Sequence, residues 1–598
     1  MISKATLEKL DYKKVLSNIS KYTSTENGKE SILKSFPLNT LTEAVKIGNM
    51  VSAAKEMLIE FDHPPIEYIP NLENELSRSK VIGAVLQIDV IKNILSMSIT
   101  SRKIRNYFTN NSQSTIFNSY KEALFLDKTF ESKISKIFNE AGSISDSASS
   151  KLRTIRKEII SKNENLKSVT NNILKKLSSS YLVQEEYVTQ RDGRLVLPIK
   201  AAHKRHVKGF IHSESNTGQT VYIEPEQTLE LNNEILSLTF AEKREIENIL
   251  KEITILVGSR SSELKSSLST ISEIDSIFAK AKYSLEMIGV FPTFDEKKCF
   301  RILDGRHPLL LQKIGRKKTI PLDFCFEDDI VILITGPNAG GKTVVLKTIA
   351  LLSLLVQSGI HVPCHPDSNF IFFENIMLDI GDEQSIEDDL STFSSHLSNI
   401  KSILESANEK SLVLIDEIGT GTDPSEGTAL AASFLITLRN AKVKVVATTH
   451  HGNLKILASE LERFQNASME FDLENLTPTY KFRQGVPGSS YAFEVAQKIG
   501  LKTDIIQLAE KYLDSDKNNI EKFIIELENK SVELTKKINS LEIENSRLKG
   551  LSNLYERENK KLKERKGKIL QDTKDKAETF LKDINSQFEN TIKRIKET

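Results

Sequence analysis

The sequence predicts a mixed molecule. A largely α-helical N-terminal half carries a small β tip, an α/β region is built on a parallel sheet, and a long charged helix follows. Three observations point there. The 598 residues include no Trp, 7% aromatics, 15 Pro and 25 Gly, which suits helices better than sandwiches or propellers. Short apolar runs alternate with helical stretches between residues 300 and 510. Beyond residue 515, apolar residues recur every seven positions.

The same arithmetic excludes several classes. The formal net charge is +1, so no global field favours one kind of partner. No apolar run approaches the ~18 residues of a membrane span, so no membrane partner is expected. The opening MISKATLEKLDYKKVL is charged and amphipathic and lacks the apolar core of a signal peptide. The three cysteines, Cys299, Cys325 and Cys364, are odd in number and form no CxxC. They are expected as buried thiols in a reduced, bacterial-type cytosol.

Residues 1–148 read as a helical core. Leu7, Leu10, Val15 and Ile19 fall at helical spacing, and the pattern recurs in SAAKEMLIEF and VLQIDVIKNILSMSI. Residues 149–290 read as an arm. One long charged helix leads out (Ser149 to about Ser178) and another leads back (about Gln227 to Glu286). Between them, residues 181–225 are rich in Val, Tyr, Thr and Ile, with turn signals at Asp192-Gly193 and Asn216-Thr217-Gly218. That segment is expected to be a β tip. Its cluster His203, Lys204, Arg205, His206 and Lys208, near Phe210 and His212, suits contacts to nucleic-acid phosphates. Such contacts are salt-dependent and indifferent to sequence. A solvated strand face would look similar.

Residues 300–512 carry the chemistry. Gly336-Pro337-Asn338-Ala339-Gly340-Gly341-Lys342-Thr343 fits GxxxxGK[ST], with an apolar strand before it and a helix after it. Glycines let backbone N–H groups converge on phosphate oxygens. Lys342 pairs with the β/γ-phosphates and the Thr343 hydroxyl holds Mg²⁺, so ATP and Mg²⁺ are the expected cofactors. Leu412 to Ile415 form an apolar strand ending in Asp416 and Glu417. Alone, such a pair is usually a strand cap. Downstream of a P-loop and ahead of GTGTDPSEG it is a Walker B pair. Asp416 then joins the magnesium shell, and Glu417 polarises the attacking water. A third strand, Val445 to Thr448, leads to His450, placed to sense or polarise the γ-phosphate, with His451 as the neighbouring alternative.

Residues 513–598 form the tail. Leu527, Leu534, Leu541, Leu548, Tyr555, Leu562 and Ile569 make one seam, while Ser531, Asn545, Ser552 and Asn559 interrupt its companion. A coiled coil is expected, with Asn545 able to fix register; a single solvated helix is the alternative.

The order ITGPNAGGKT, LSTFSSH, LVLIDEIGTGTDPSEG, ATTHH resembles the MutS family of ATPases, and GRHPLL (Gly305 to Leu310) resembles a further element of it. TQRDGRLVLPIKA, GFIHSESNTGQTVYIEP and LELNNEILSLTFAEKREIE are similar to the core and clamp of the MutS-two subfamily. The resemblance implies an ABC-type P-loop ATPase that works as a homodimer with composite sites. Ser391, in Ser391-Thr392-Phe393, would reach the γ-phosphate held by the opposite subunit. Gln384 would serve as a Q-loop analogue. Phe493, in Ser490-Tyr491-Ala492-Phe493, would stack on adenine.

Two departures bear on activity. The first 130 residues contain no Phe-x-Glu mismatch wedge, and Phe138-Asn139-Glu140 is expected to lie in a helix. MutS-two proteins also typically continue into a C-terminal Smr domain, to which nicking is assigned. This sequence stops at Thr598 in the helical tail, so endonuclease activity is not expected of it. The resemblance implies a clamp on branched or mismatched DNA that suppresses homologous recombination. It equally allows a factor that binds ribosomes through rRNA and splits them when they collide. The protein would accordingly associate with nucleoid or ribosome. An SMC-type organiser is disfavoured, because that class splits its Walker motifs to opposite chain ends.

Overall fold

The computed structural model describes residues 2–295, 299–328, 330–337, 340–381, 389–472, 475, 477–488, 496–497, 499–511 and 515–596. The α/β part is built on a six-stranded sheet. Its order is Asn375–Asp379, Ser411–Ile415, Lys444–Thr448, Val331–Thr335, Phe464–Asp472, Thr477–Gln484. The first five run parallel and the last is antiparallel. Parallel strands buried on both faces need continuous apolar runs, which VILIT and SLVLI supply. A second four-stranded sheet contains Phe300–Gly305 and Leu322–Phe326.

Helix Lys342–Gln357 leaves the central strand and is buried nearly all round, as its sequence KTVVLKTIALLSLLVQ requires. Leu346, Ile349 and Leu352 share one core with Phe300, Phe324 and Phe370 of the second sheet, and with Leu7, Leu10, Tyr12 and Val15 from the start of the chain. A second core joins Val51, Ile94, Phe108 and Leu152 to Leu264 and Phe278 of helix Ser261–Met287. Polar links tie the two parts where the buried helix ends. Tyr12 Oη lies 2.7 Å from Ser358 Oγ, Lys280 donates to the Ser358 carbonyl, and His361 Nδ1 sits 2.8 Å from Ser284 Oγ.

The outbound arm helix is Ser150–Ser179, capped by Ser149. The return path expected as one helix is two, Leu229–Ser259 and Ser261–Met287. The break falls where Gly258 backs onto the Ser79 carbonyl, only 2.4 Å from where a Cβ would stand, and Ser261 bonds the Leu76 carbonyl. The tip is a four-stranded antiparallel sheet ordered Thr189–Arg191, Arg194–Lys200, Thr220–Pro225, Gly209–Glu214. Asp192 (φ 47°) and Gly193 (φ 79°) make the two-residue hairpin turn that an Asp-Gly pair favours. Leu197, Ile199, Val221 and Ile223 fill the tip's own small core.

Two expectations are corrected. Phe138 is not helical: helix Lys128–Ser135 has ended, and Phe138 forms a bridge with Ile144 around a turn. Only Cys364 is fully buried; Cys299, just before strand Phe300–Gly305, and Cys325, in strand Leu322–Phe326, are half-buried, with sulfurs 3.2 Å apart. At the C-terminal end, Ser515–Lys596 is one helix of 82 residues. Leu534, Leu541, Leu548, Tyr555 and Leu562 of its heptad seam are exposed.

Candidate nucleotide site

The site lies at the carboxyl ends of the parallel strands, where loops converge and helix N-termini point inward. Gly336 (φ 130°) and Gly341 (φ 91°) have backbones that L side chains rarely adopt, so the P-loop needs glycine there. Lys342 opens the buried helix and is 3% exposed. Its Nζ donates to the Gly336 carbonyl (2.7 Å), the Pro337 carbonyl (3.2 Å) and His450 Nε2 (3.3 Å). Burial pulls its pKa down to about 8, against the opposing pull of Glu417 and Asp416.

Asp416 is the hub. Thr343 Oγ1 donates to its Oδ2 at 2.6 Å and Thr448 Oγ1 donates to its Oδ1 at 2.5 Å. The Thr448 oxygen also accepts from the Glu417 backbone N–H at 2.7 Å. Glu417 has φ 50°, a left-handed conformation costly for a non-glycine residue and retained only where neighbours over-determine it. Its side chain is half-exposed, with Oε1 3.5 Å from His450 Nε2. Burial and the Lys342 ammonium both lower the His450 pKa, and Glu417 partly opposes them.

The two histidines left open by the sequence separate here. His450 faces Lys342 and Glu417, whereas His451 turns away and sits 3.0 Å from the Gly419 carbonyl. The structure thus brings together Lys342, Thr343, Asp416, Glu417 and His450. Asn338, Ala339, Gln384 and Phe493 lie outside the described residues. Ser391 falls near the start of helix Asp389–Ser406, and its side chain lies outside what is described.

Three contributors escape a sequence reading. Thr448 is one, since nothing in ATTHH says which threonine turns to Asp416. The second is a cavity of about 340 Å³ beside Gly341, lined by His307, Ile320, Val344, Thr348 and Tyr480 among others. Tyr480 has φ 58° in an irregular stretch of its strand pair, and its ring lies 3.3 Å from where a Gly341 Cβ would stand. Burial pushes the His307 pKa down to about 4, and its Nδ1 is buried without a hydrogen-bond partner. The third is a clasp: Thr335 Oγ1 accepts from the Gly488 N–H, and buried Lys455 donates to the Gly488 carbonyl.

These residues fit ATP and Mg²⁺. Thr343 and Asp416 offer two hard oxygens side by side, and Mg²⁺ typically takes few protein oxygens and completes its shell with water and phosphate. An apolar cavity with one orphan nitrogen, next to a glycine-lined helix N-terminus, fits a heteroaromatic base beside its phosphates.

At the tip, Lys204, Arg205, His206 and Lys208 are exposed, in or just after the short turn Ala201–His206. His203 is half-buried and stacks edge-on against His206, with centroids 5.7 Å apart. His212 does not join this surface. Its Nε2 is 2.6 Å from Glu224, a fully buried carboxylate also bound by Arg194 and Asn232.

Strand, P-loop, buried helix and strand-end acidic pair together define a P-loop nucleotide-binding protein. Comparison with known proteins narrows this. The family model for MutS domain V matches residues 332–516. Endonuclease MutS2 of Clostridium perfringens strain 13 is 35% identical over 595 residues, covering 99% of this chain and 75% of that protein. Endonuclease MutS2 of Clostridium botulinum strain Alaska E43 is 34% identical over 600 residues, covering 100% and 76%. That of Clostridioides difficile strain 630 is 37% identical over 519 residues, covering 86% and 65%. The chain belongs to the MutS family, in its MutS2 branch.

Proposed function

We propose that the chain is an ATP-hydrolysing, DNA-binding protein of the MutS2 type. It works as a homodimer whose arms close on branched or mismatched DNA and hold back homologous recombination. The observation that carries the enzymatic half is the convergence of Lys342, Thr343, Asp416, Glu417 and His450 at three strand ends. Membership of the MutS family supports DNA binding and ATPase activity. The basic tip on a two-helix arm supports a grip on phosphates.

Each residue has a physical task. Lys342 exchanges its bonds to the Gly336 and Pro337 carbonyls for phosphate oxygens, an exchange a buried ammonium makes readily. Thr343 and Asp416 would hold Mg²⁺, which when bound supplies positive charge to the phosphates. Glu417 accepts the proton of the attacking water at its carboxylate, oriented by its fixed left-handed backbone. His450 bridges Lys342 and Glu417. The cavity beside Gly341 takes the base, with Tyr480 against it. Ser391 completes the site of a second copy, and the exposed heptad seam gives the two copies a line along which to pair. A nucleotide shared between subunits binds the closed dimer better than the open one, which is how it switches the arms.

The test uses two variants. Lys342→Ala is expected to lose tight ATP binding. Glu417→Gln is expected to bind ATP and hydrolyse it at least ~100-fold more slowly, the usual scale for loss of a general base. Glu417→Gln protein loaded with ATP is then run on a gradient from DNase-treated lysate and assayed on branched DNA. An ATP-dependent dimer that runs free of ribosomes and holds branched DNA supports this function. Co-migration with ribosomal particles, lost in Lys342→Ala, overturns it in favour of a ribosome-splitting role.

A further inference from the structure

Asp379 ends the edge strand of the large sheet, and its carboxylate is almost fully buried. Two donors from one helix face hold it. His396 Nδ1 lies 2.8 Å from Oδ2, and Asn399 Nδ2 donates to Oδ1 at 3.2 Å. The two sit three residues apart on helix Asp389–Ser406, hence side by side one turn apart. The backbone of Asp379 serves the nucleotide site instead: its carbonyl accepts the N–H of Asp416 at 2.8 Å. Asp416 in turn holds the hydroxyls of Thr343 and Thr448, and through Thr448 the backbone of Glu417. His396, Asp379 and Glu417 also line one small cavity. One residue therefore joins the helix that carries Ser391 in its first turn to the strand end that carries both acidic groups.

We propose that Asp379, clasped by His396 and Asn399, is a positioning residue that couples the two nucleotide sites of the dimer. The inference rests on the composite-site reading above, in which Ser391 serves the partner's nucleotide. Docking of that nucleotide fixes the N-terminal end of helix Asp389–Ser406. A helix moves as a rigid body, so its displacement is passed to the buried carboxylate it grips rather than absorbed along the way. Asp379 then resets the Asp416 backbone, and with it the Thr343–Asp416–Thr448–Glu417 chain of the subunit's own site. A bond between a buried carboxylate and an imidazole N–H is strong enough, and its partners desolvated enough, to transmit such a shift.

Three variants of the full chain test it: Asp379→Asn, His396→Leu and His396→Asn. The asparagine amide occupies roughly the place of Nδ1 and keeps the donor, whereas leucine keeps only bulk. Asp379→Asn and His396→Leu are expected to lower kcat about tenfold or more, the scale of a lost buried bond to a charge, with KM for ATP within about twofold. His396→Asn is expected to recover most of kcat at the thermal stability of His396→Leu, which a purely structural role does not predict.

Mixed dimers then separate this proposal from the reading it rests on. One subunit carries Lys342→Ala, so only its partner binds ATP. The clasp works in both directions, because His396 and Asn399 also anchor to Asp379 the helix that presents Ser391. Ser391→Ala on the Lys342→Ala subunit should therefore lower turnover at the intact partner site, and His396→Leu there, by freeing that helix, should do the same. If Ser391→Ala has no effect in this arrangement, the composite site fails. If Ser391→Ala acts across the dimer but His396→Leu does not, the coupling role of Asp379 is overturned.

Discussion

Two carboxylates organise two different parts of this molecule, the arm tip and the nucleotide site, and they are dressed differently. Glu224 in the arm tip is fully buried, with bonds to Arg194, His212 and Asn232. Its partners include a guanidinium, that of Arg194. Asp416 in the nucleotide site is half-buried and held by two neutral hydroxyls, Thr343 and Thr448. The charged groups beside it, Lys342 and Glu417, bond to backbone carbonyls or stand half-exposed. A hub neutralised by an internal cation is a fastener. A hub held by neutral hydroxyls, with no cation bonded to its own oxygens among the described residues, can accept a cation from outside. On the proposed function, the tip uses its buried polar network to hold shape and leaves recognition to surface cations, whereas the nucleotide site uses its network for chemistry.

Removing the hubs should break the comparison most sharply. Glu224→Ala strands Arg194 and His212 around a vacated buried position. Breaking a buried charge pair from one side costs about 3–5 kcal/mol. That loss is expected to fall on the tip alone, read as faster amide hydrogen exchange across Arg194–Pro225 with ATP turnover in the absence of DNA unchanged. A fall in turnover of the same size would mean the tip and the nucleotide site are not separable in this way.

Thr448→Val tests the other hub. It removes the donor to Asp416 and the acceptor for the Glu417 N–H while keeping the shape of a strand residue. Two bonds lost at a strained backbone cost on the order of 2 kcal/mol, so kcat is expected to fall roughly thirtyfold. Thr448→Ser restores the hydroxyl and should restore most of the rate. Equal loss in both variants would show that the hydroxyl alone does not set the rate.

Much of this difference was legible in the sequence, and the reasons are physical. GPNAGGKT, LVLIDE and VVATTH announce strand-end chemistry because phosphate binding needs glycine backbone and hard oxygen at fixed spacing. The arm was legible because two long charged helical stretches bracket a Val- and Tyr-rich segment with turn signals. What remained hidden depends on orientation. His212 belongs by sequence to the basic cluster but turns inward, because a fully buried Glu224 across the sheet needs partners. Tyr480 reaches the P-loop from an irregular stretch of strand with φ 58°, and no pattern of residue types encodes that. The break at Arg260 falls next to a close approach from far along the chain, the Ser79 carbonyl pressed against Gly258.

Lys342 sharpens the comparison through pH. Burial depresses its pKa to about 8 and the neighbouring carboxylates only partly oppose this. The ammonium is therefore fully present below that value and lost as pH rises through it. Bound phosphate favours the charged form, so ATP affinity is expected to be flat below pH 8. Above it, affinity should fall by up to about tenfold per pH unit, the limit for loss of one proton. Equilibrium binding of a fluorescent ATP analogue between pH 7 and 9.5 checks this. A profile flat to pH 9.5 would mean that Lys342 is less desolvated than its 3% exposure implies.

The smallest effect is expected at the tip surface, and its form matters more than its size. Arg205 and Lys208 are exposed and placed beside one edge strand, free of the Glu224 network that holds Arg194. Cations of this kind contact phosphates one at a time and read no sequence. Replacing both by Ala should weaken DNA binding only several-fold near physiological salt, and about equally for every sequence. The slope of log affinity against log salt should become shallower by about 1.8, since each lost phosphate contact removes about 0.9 from it. Titrations of one branched and one linear duplex across a range of salt concentrations measure both. An unchanged slope would show that these two cations never meet the backbone, and would move the grip elsewhere on the arm. A slope that changes on branched DNA alone would mean the tip senses geometry, which a fastener-type network beneath exposed charges is rigid enough to do.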